Sequence, residues 1–270
     1  MQPQAITSRR STRVQQVRRL HDAKGRRESG RILVEGPDAL ACALAAGAKA
    51  IEVFATERAL ERADGLLAQA RQAGAIVQSV TEEVMSALAQ TQAPQGIVAT
   101  CDWRPAPLAA AIRSDASCLV LEAVADPGNA GTIIRTADAA GLSGVVLTEG
   151  SVDPGNGKCI RASAGSLFHL PVCSAAEPQE VLERARSAGL QVAVVTLQAG
   201  LGLFEWVRDR RRDRAVCWVL GNEARGVGEL MHRSADVCLR IPMSGHAESL
   251  NVASAAAVCL YADLAAGMKD

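Results

Sequence analysis

The sequence of 270 residues predicts an α/β protein with a mostly parallel C-terminal sheet and a smaller α/β unit before it. Near-continuous apolar runs, typical of strands buried on both faces, alternate with helical stretches in the C-terminal half. A hydrophobic fraction of 49% suffices for a core, and aromatic residues make up only 3% of the chain. Ala, Val and Leu must therefore fill that core.

Short strands and helices also alternate in the N-terminal half. Apolar runs predict four strands, at 31–36, 51–56, 75–80 and 96–100. Segment 37–47 has helical spacing, with Pro37 suited to a first turn and Gly47 to a C-terminal stop. The Pro-containing stretch 101–117 that follows is typical of a linker. We therefore expect a basic tail at 1–30, a small α/β domain at 31–104, a linker at 105–117 and a large domain at 118–270.

The C-terminal half has stronger strand patterns. Five apolar runs predict strands at 118–124, 144–150, 191–197, 215–221 and 236–243. Helical stretches between and after them include 129–140, 177–188 and 248–265. Because ligands of open parallel sheets bind beyond the carboxyl ends of the strands, the loops after these strands are the places where we expect a site.

Charge is unevenly distributed along a chain whose net charge is zero. The first basic cluster comprises Arg9, Arg10, Arg13, Arg18, Arg19, Lys24, Arg26, Arg27 and Arg31. The second comprises Arg208, Arg210, Arg211, Arg212 and Arg214. Each cluster is either a solvated surface or a contact to a nucleic-acid backbone, because a protein can be neutral overall and basic on one face.

Several features indicate a cytoplasmic protein without a metal site. The sequence has no run of about 18 uncharged apolar residues and no apolar core of a secretory signal. Its eight cysteines form no CxxC pair, and several lie inside apolar runs. This pattern favours buried thiols in a reducing compartment over zinc fingers or disulfides. The four histidines form no cluster of metal ligands.

Three loops after predicted strands combine glycine with Asn, Glu or Ser. The loops are 126–131, with Arg135 in the helix that follows, then 221–226 and 241–251. Glycine lets backbone approach a ligand, but Asn and Ser also cap ordinary helices, so each loop alone could be a structural turn. Neither GxGxxG nor GxxxxGK[ST] is present, which disfavours a standard dinucleotide- or nucleotide-triphosphate-binding loop and, with it, an α/β dehydrogenase or small-molecule transferase.

Together, these loops resemble the three motifs of the SpoU branch of the SPOUT RNA methyltransferases. The matching positions are Asn129, Gly131 and Arg135, then Gly221, Asn222, Glu223 and Gly226, then Ile241, Pro242, Met243, Glu248, Ser249, Leu250 and Asn251. Segment 161–172 is similar to an intermediate family segment, and the resemblance spans about 118–265. Residues 31–100 look like the small substrate-binding domain of the family.

The resemblance implies a deep trefoil knot in the C-terminal domain, a homodimer, and methylation of an RNA ribose 2′-hydroxyl by S-adenosylmethionine. It implies five residues that hold the cofactor: Thr196, Gly221, Ile241, Met243 and Leu250. It places Arg135 at the catalytic centre, where Asn129, Glu223, Ser249 and Asn251 hold Arg135 or the ribose. The family's catalytic arginine is often regarded as a base. A guanidinium stays protonated, so Arg135 is alternatively a cation that orients a phosphate and stabilises the developing alkoxide.

Alternative functions differ in the residues that they require. A catalytically inactive RNA-binding protein of this family would have damaged motifs, whereas all five catalytic candidates are present. Methylation of a base occurs in other SPOUT branches, and the ESLN sequence of the third motif favours the ribose branch. Ribosomal RNA is preferred to tRNA as the substrate because minimal tRNA enzymes of the family often lack the small N-terminal domain.

Overall fold

The computed structural model describes residues 5–209 and 214–268, which form two compact units. The smaller unit contains the described residues up to Arg104 together with Gly155–Phe168. The larger unit contains Pro105–Pro154 and the described residues from His169 onward. Each unit has its own sheet, so the predicted α/β class is confirmed.

The described residues contain two sheets. Four strands form the sheet of the smaller unit: β1 (Arg31–Glu35), β2 (Ala50–Thr56), β3 (Ile76–Val80) and β4 (Ile97–Asp102). Seven form the sheet of the larger unit: β5 (Cys118–Leu121), β6 (Val145–Thr148), β7 (Val172–Ala176), β8 (Gln191–Val195), β9 (Leu201–Gly202), β10 (Val216–Leu220) and β11 (Val237–Arg240). All nine strands predicted from the apolar runs are therefore present, with ends that differ by a few residues.

Helices cover both sheets. Six precede the larger unit: α1 (Thr12–Arg18), α2 (Ala23–Ser29), α3 (Pro37–Ala45), α4 (Glu57–Arg62), α5 (Asp64–Gln72) and α6 (Glu82–Leu88). The others are α7 (Leu108–Ala111), α8 (Pro127–Ala139), α9 (Gly157–Ser163), α10 (Ser166–His169), α11 (Pro178–Ser187), α12 (Leu203–Asp209), α13 (Glu229–Arg233) and α14 (Val252–Gly267). A 3₁₀ turn at Arg19–His21 joins the first two helices.

The basic N-terminal segment is folded, which differs from the predicted tail. Ser11 caps α1 by accepting a hydrogen bond from the backbone N–H of Val14. Val14, Val17 and Leu20 are buried against the sheet of the smaller unit, at the three-residue spacing of a helical face. Exposed polar residues separate these apolar residues and hide their periodicity in the sequence: Gln15, Gln16, Arg18 and Arg19.

The larger sheet is parallel throughout. Its strand order is β7-β6-β5-β10-β8-β11-β9, so β10 lies between two strands that precede it in the chain. Strands β7 and β9 were not predicted from the sequence. β7 contains the half-exposed Ser174 and β9 has only two residues, so neither produces a long apolar run.

The stretch predicted as a linker contributes to the cores of both units. Cys101 and Asp102 belong to β4, and Leu108–Ala111 form a short helix. Ala111 and Ile112 are fully buried in the core of the larger unit. The chain at Gly144 passes so close that an added Cβ would lie 2.5 Å from the Cα of Ala111.

Segment 155–168 packs within the smaller unit. Arg161 of α9 donates a hydrogen bond to the carboxylate of Glu35 at 3.4 Å, and that carboxylate also accepts from the backbone N–H of Gln90 at 3.0 Å. Gly165 has φ +97°, and an added Cβ would lie 2.7 Å from the Cβ of Cys42. Both the backbone conformation and the close approach therefore require glycine at this position.

Candidate active site

Four neighbouring strands end at the same edge of the larger sheet. The strands lie in the order β5-β10-β8-β11. The loop before α8 follows β5, the loop at 221–228 follows β10, Thr196 follows β8, and the segment 241–251 follows β11. Carboxyl ends of parallel strands point the same way, so the sheet itself brings the three predicted motifs to one edge. This edge is where a parallel sheet binds ligands.

The turn after β5 begins the first motif with an unusual backbone. Ala123 has φ +53°, in the left-handed region that a residue other than glycine rarely adopts. Two side chains hold it there: the Thr148 hydroxyl accepts from the Ala123 N–H at 3.1 Å, and the Asn222 amide donates to the Ala123 carbonyl at 2.8 Å. Asp126 then caps α8 by accepting from the Asn129 N–H at 2.8 Å. The first turn of that helix is therefore fixed at the strand end.

The second motif is a tight, internally bonded loop. Asn222 and Gly226 exchange two backbone hydrogen bonds, of 3.0 and 2.8 Å. The Asn222 side-chain oxygen also accepts from the N–H groups of Ala224 and Arg225. A Cβ on Gly221 would lie 2.2 Å from the carbonyl carbon of Gly226. The closure of the loop is therefore a sufficient reason for glycine at position 221.

A chain of side-chain hydrogen bonds connects the three motifs. The Asn251 amide donates to the Asn129 side-chain oxygen at 3.1 Å, and the Asn129 amide donates to the Glu223 carboxylate at 2.7 Å. The Asn251 oxygen is also the N-cap of α14, accepting from the Ala253 N–H at 2.8 Å. Each of the two side-chain amides thus donates one hydrogen bond and accepts another, and the Glu223 carboxylate is the last acceptor of the chain. We refer to these three residues as the amide–carboxylate bridge.

Arg135 lies on α8, six residues beyond Asn129. Its side chain is exposed and makes no hydrogen bond or ion pair with the residues that the structure describes. The bridge therefore does not hold this arginine, contrary to one of the two roles expected for it. The guanidinium is free to meet an incoming anion.

The remaining predicted residues lie on or beside the third motif, where Ile241–Asn251 contains no helix or strand. Ile241 and Met243 are half-buried, and Leu250 is 38% exposed. Thr196 is half-buried, and its N–H donates to the Leu239 carbonyl at 2.9 Å. Ser249 is exposed and has no hydrogen bond within the described part of the chain, so the structure does not connect it to the bridge.

Two supporting residues were not predicted from the sequence. Glu122 accepts a hydrogen bond from the Gly228 N–H at 2.7 Å and so ties the end of the second motif to β5. Thr148 is the buried hydroxyl that holds Ala123. A carboxylate directly after the apolar run of β5 was a signal that could have identified Glu122, whereas nothing in the sequence pairs Thr148 with Ala123.

Burial, rather than catalysis, explains the shifted pKa values of the thiols. All eight cysteines are free, and six are buried. Burial raises the pKa of Cys101 and of Cys259 to about 12. Cys118 and Cys217 lie opposite each other on β5 and β10, and their hydrogen bond together with burial raises the pKa of Cys118. Such protonated thiols are packing residues.

Comparisons with known proteins agree with this geometry. The structure is similar to an AdoMet-bound rRNA methyltransferase of Sinorhizobium meliloti, with a TM-score of 0.86 and 30% identity over 98% of this chain and 99% of that one. The fold is thus that of the SPOUT RNA methyltransferases. The family model of the SpoU rRNA methylases matches residues 116–261, and the chain belongs to that family. The model of the MRM3-like substrate binding domain matches residues 11–99.

Two curated relatives extend over most of the chain. The 23S rRNA (guanosine(2553)-2′-O)-methyltransferase RlmP of Bacillus subtilis is 34% identical over 95% of this chain and 97% of its own length. The 23S rRNA (guanosine-2′-O-)-methyltransferase RlmB of Bordetella pertussis is 33% identical over 79% of this chain and 87% of its own. No helix among the described residues is long and apolar enough to span a membrane, and no metal-ligand cluster occurs among them.

Proposed function

We propose that this protein transfers the methyl group of S-adenosylmethionine to a ribose 2′-hydroxyl of ribosomal RNA. The observation that carries the proposal is the amide–carboxylate bridge, which joins all three family motifs, while Arg135 is exposed and unpaired further along the same helix as Asn129. The names of the two relatives above, both 23S rRNA 2′-O-methyltransferases, favour ribosomal RNA over tRNA.

The edge of the sheet suits the methyl donor. Thr196, Gly221 and Ile241 follow β8, β10 and β11, which are neighbours in the sheet, so their backbone groups meet at one place. Met243 and Leu250 add partly exposed apolar surface. Apolar walls with backbone donors and acceptors suit an adenosine. We propose that these five residues hold S-adenosylmethionine, which supplies a methyl group on a sulfonium, already an excellent leaving group.

The residues of the chain must then prepare the nucleophile. A ribose hydroxyl attacks poorly while it is protonated, so catalysis consists of positioning and of help with the proton. Arg135 binds a neighbouring phosphate and stabilises negative charge that develops on the 2′-oxygen. Glu223 and Asn251, fixed through Asn129, orient the ribose, and Ser249 is free to donate to it.

The smaller unit is proposed to bind the RNA, with residues 31–104 as its principal part. Several basic residues of the N-terminal cluster already have protein partners: Arg9 pairs with Glu83 at 2.9 Å, and Arg26 is buried. Exposed arginines without a partner in the described residues remain at Arg10, Arg18, Arg19 and Arg27. These are the candidates for phosphate contacts. In the second cluster, Arg208 pairs with Asp209 at 2.8 Å, and Arg210, Arg211 and Arg212 lie outside the described residues.

We also propose a homodimer, a cytoplasmic location and the trefoil knot that the family resemblance implies. Exposed apolar side chains support a dimer: Phe204 is 52% exposed on α12, and Tyr261 and Leu264 are 47% and 39% exposed on α14, which packs against α12. A patch of this kind on a cytoplasmic protein is typical of a subunit interface.

The proposal is tested by incubating the purified protein and tritiated S-adenosylmethionine with unmodified 23S rRNA, 16S rRNA or bulk tRNA. We expect label in ribosomal RNA, in a nucleotide whose 2′-O-methyl group makes the adjacent bond resistant to alkali. Label only in tRNA would favour the alternative substrate, and label on a base would contradict ribose methylation. Cofactor and RNA binding without transfer to any RNA would indicate an inactive RNA-binding member of the family.

A further inference from the structure

The smaller unit contains a polar cavity between its N-terminal helices and its sheet. The cavity has a volume of about 420 Å³, and its wall includes Gln16, Arg19, Arg31, Glu52 and Thr100. This size lies within the range of small-molecule pockets. Another cavity of the unit lies elsewhere, beside Arg58 and Arg62 of α4.

One face of the sheet changes from apolar to polar at this cavity. Phe54 and Val98 are paired neighbours on β2 and β4, and both are buried beneath the first helices. One pair further along the same face, Glu52 lies opposite Thr100. A sheet face that only supported α1 would continue with apolar residues. Glu52 and Thr100, a carboxylate and a hydroxyl where an apolar pair would be expected, form the floor of the cavity.

Thr100 is the clearest sign that the floor has a function. It is 1% exposed, and its hydroxyl oxygen has no hydrogen-bond partner among the described residues. A buried hydroxyl without a partner destabilises the folded protein, and valine would fill the same volume without this cost. Thr100 is one of the residues that line the cavity, so a molecule bound there can supply the missing partner once it displaces the atoms that cover the hydroxyl.

The charges define the chemistry of that molecule. Glu52 is ion-paired with Arg13 and is held as a carboxylate acceptor at the floor. Arg19 lies on the wall, is exposed and has no partner among the described residues, and Arg18 and Arg27 are exposed nearby in the chain. Glu28 also lines the wall, but it pairs weakly with Lys24 at 3.9 Å. The cavity thus offers an acceptor and a hydroxyl inside and positive charge outside.

We propose that this cavity binds one unstacked nucleotide of the RNA substrate. The base enters the cavity and donates an exocyclic amino or ring N–H group to Glu52, while Thr100 bonds to its edge and Arg19 binds its phosphate. Recognition of single-stranded RNA uses this combination of base-edge hydrogen bonds and phosphate contacts. A base with an amino group suits the carboxylate better than uracil does. The inference rests on the proposed function, since it assigns the cavity to the RNA that is methylated.

Three variants test the cavity, with Arg71→Gln as a control for lost surface charge in the same unit. Thr100→Val should raise the KM for 23S rRNA about tenfold, as expected for one lost hydrogen bond to the ligand, and leave kcat and cofactor affinity unchanged. It should unfold at the same or a higher temperature. Thr100→Ser should retain the parental KM. Arg19→Gln should weaken RNA binding and reduce its log–log salt slope by about 0.7–0.9, whereas Arg71→Gln should not.

Titration of the parental protein with nucleoside monophosphates separates the cavity from the methylation reaction. In amide NMR spectra, guanosine 5′-monophosphate should shift the Thr100 and Glu52 resonances, and uridine 5′-monophosphate should shift them less. This result would support the cavity even if 23S rRNA were not the substrate. A folded Thr100→Val protein with the parental KM would overturn the inference. If that variant does not fold, parental RNA affinity and salt slope in Arg19→Gln would overturn it.

Discussion

Replacing Asn129 with aspartate would test the amide–carboxylate bridge, because it changes one donor to a charged acceptor without changing the size of the side chain. The aspartate can still accept from Asn251, but it turns a carboxylate toward Glu223, whose oxygen lies 2.7 Å from the present amide nitrogen. Two unit charges about 3 Å apart repel by about 1.4 kcal/mol in water. The lost charge-assisted bond adds about 1.5 kcal/mol. Together these terms correspond to a rate lower by about 100-fold.

Single-turnover methyl transfer at saturating RNA measures this effect apart from binding. Glu223 is exposed and can turn into water in the free protein, so the free energy of unfolding should fall by only about 1 kcal/mol. The double variant Asn129→Asp/Glu223→Gln restores an amide–carboxylate pair with the donor reversed, and it should recover most of the loss. A single variant within threefold of the parental rate, or a double variant no faster than the single one, would refute the role of the bridge.

Three further substitution and labelling experiments test other parts of the site. Arg135→Ala should lower single-turnover transfer about 100-fold with unchanged cofactor affinity, and Arg135→Lys should restore little of it; near-parental transfer would make Arg135 a structural residue. Gly221→Val should lower both the melting temperature and cofactor affinity because its Cβ meets the Gly226 backbone, whereas Gly245→Ala, with open space around it, should keep the parental melting temperature. At pH 8, iodoacetamide should label the two partly exposed cysteines well before Cys101 and Cys259, whose raised pKa keeps them protonated; equal labelling rates would contradict their burial.

The sequence predicted those parts of the fold that have a strong local pattern. The parallel strands could be identified because both of their faces are buried, so nearly every residue in them is apolar. The first two helices were interpreted as a tail because polar residues separate Val14 from Val17 in α1, and the buried residue of α2 is Arg26. Helix α14 begins at Val252 rather than at Glu248 because Asn251 caps it. No local sequence pattern indicates that segment 155–168 belongs to the smaller unit, because this depends on contacts between distant residues, such as that between Arg161 and Glu35.

The site could be predicted as a set of residues but not as a set of contacts. Asn129 lies 94 residues from Glu223 and 122 residues from Asn251 in the chain, and only the strand order brings these residues together. Sequence reasoning expected the same residues to hold Arg135 or the ribose, and the structure leaves Arg135 unpaired. Sequence reasoning explained the glycine at position 221 by a close approach of the cofactor. The structure shows that the backbone of Gly226 already leaves no room for a Cβ at this position.

Mapping of 2′-O-methylation in total RNA from cells with and without the gene tests whether this protein methylates ribosomal RNA. We expect that one or a few ribose methylations in ribosomal RNA disappear with the gene, return with the parental protein, and do not return with Arg135→Ala. An unchanged ribosomal RNA pattern, or a loss confined to tRNA, would contradict it.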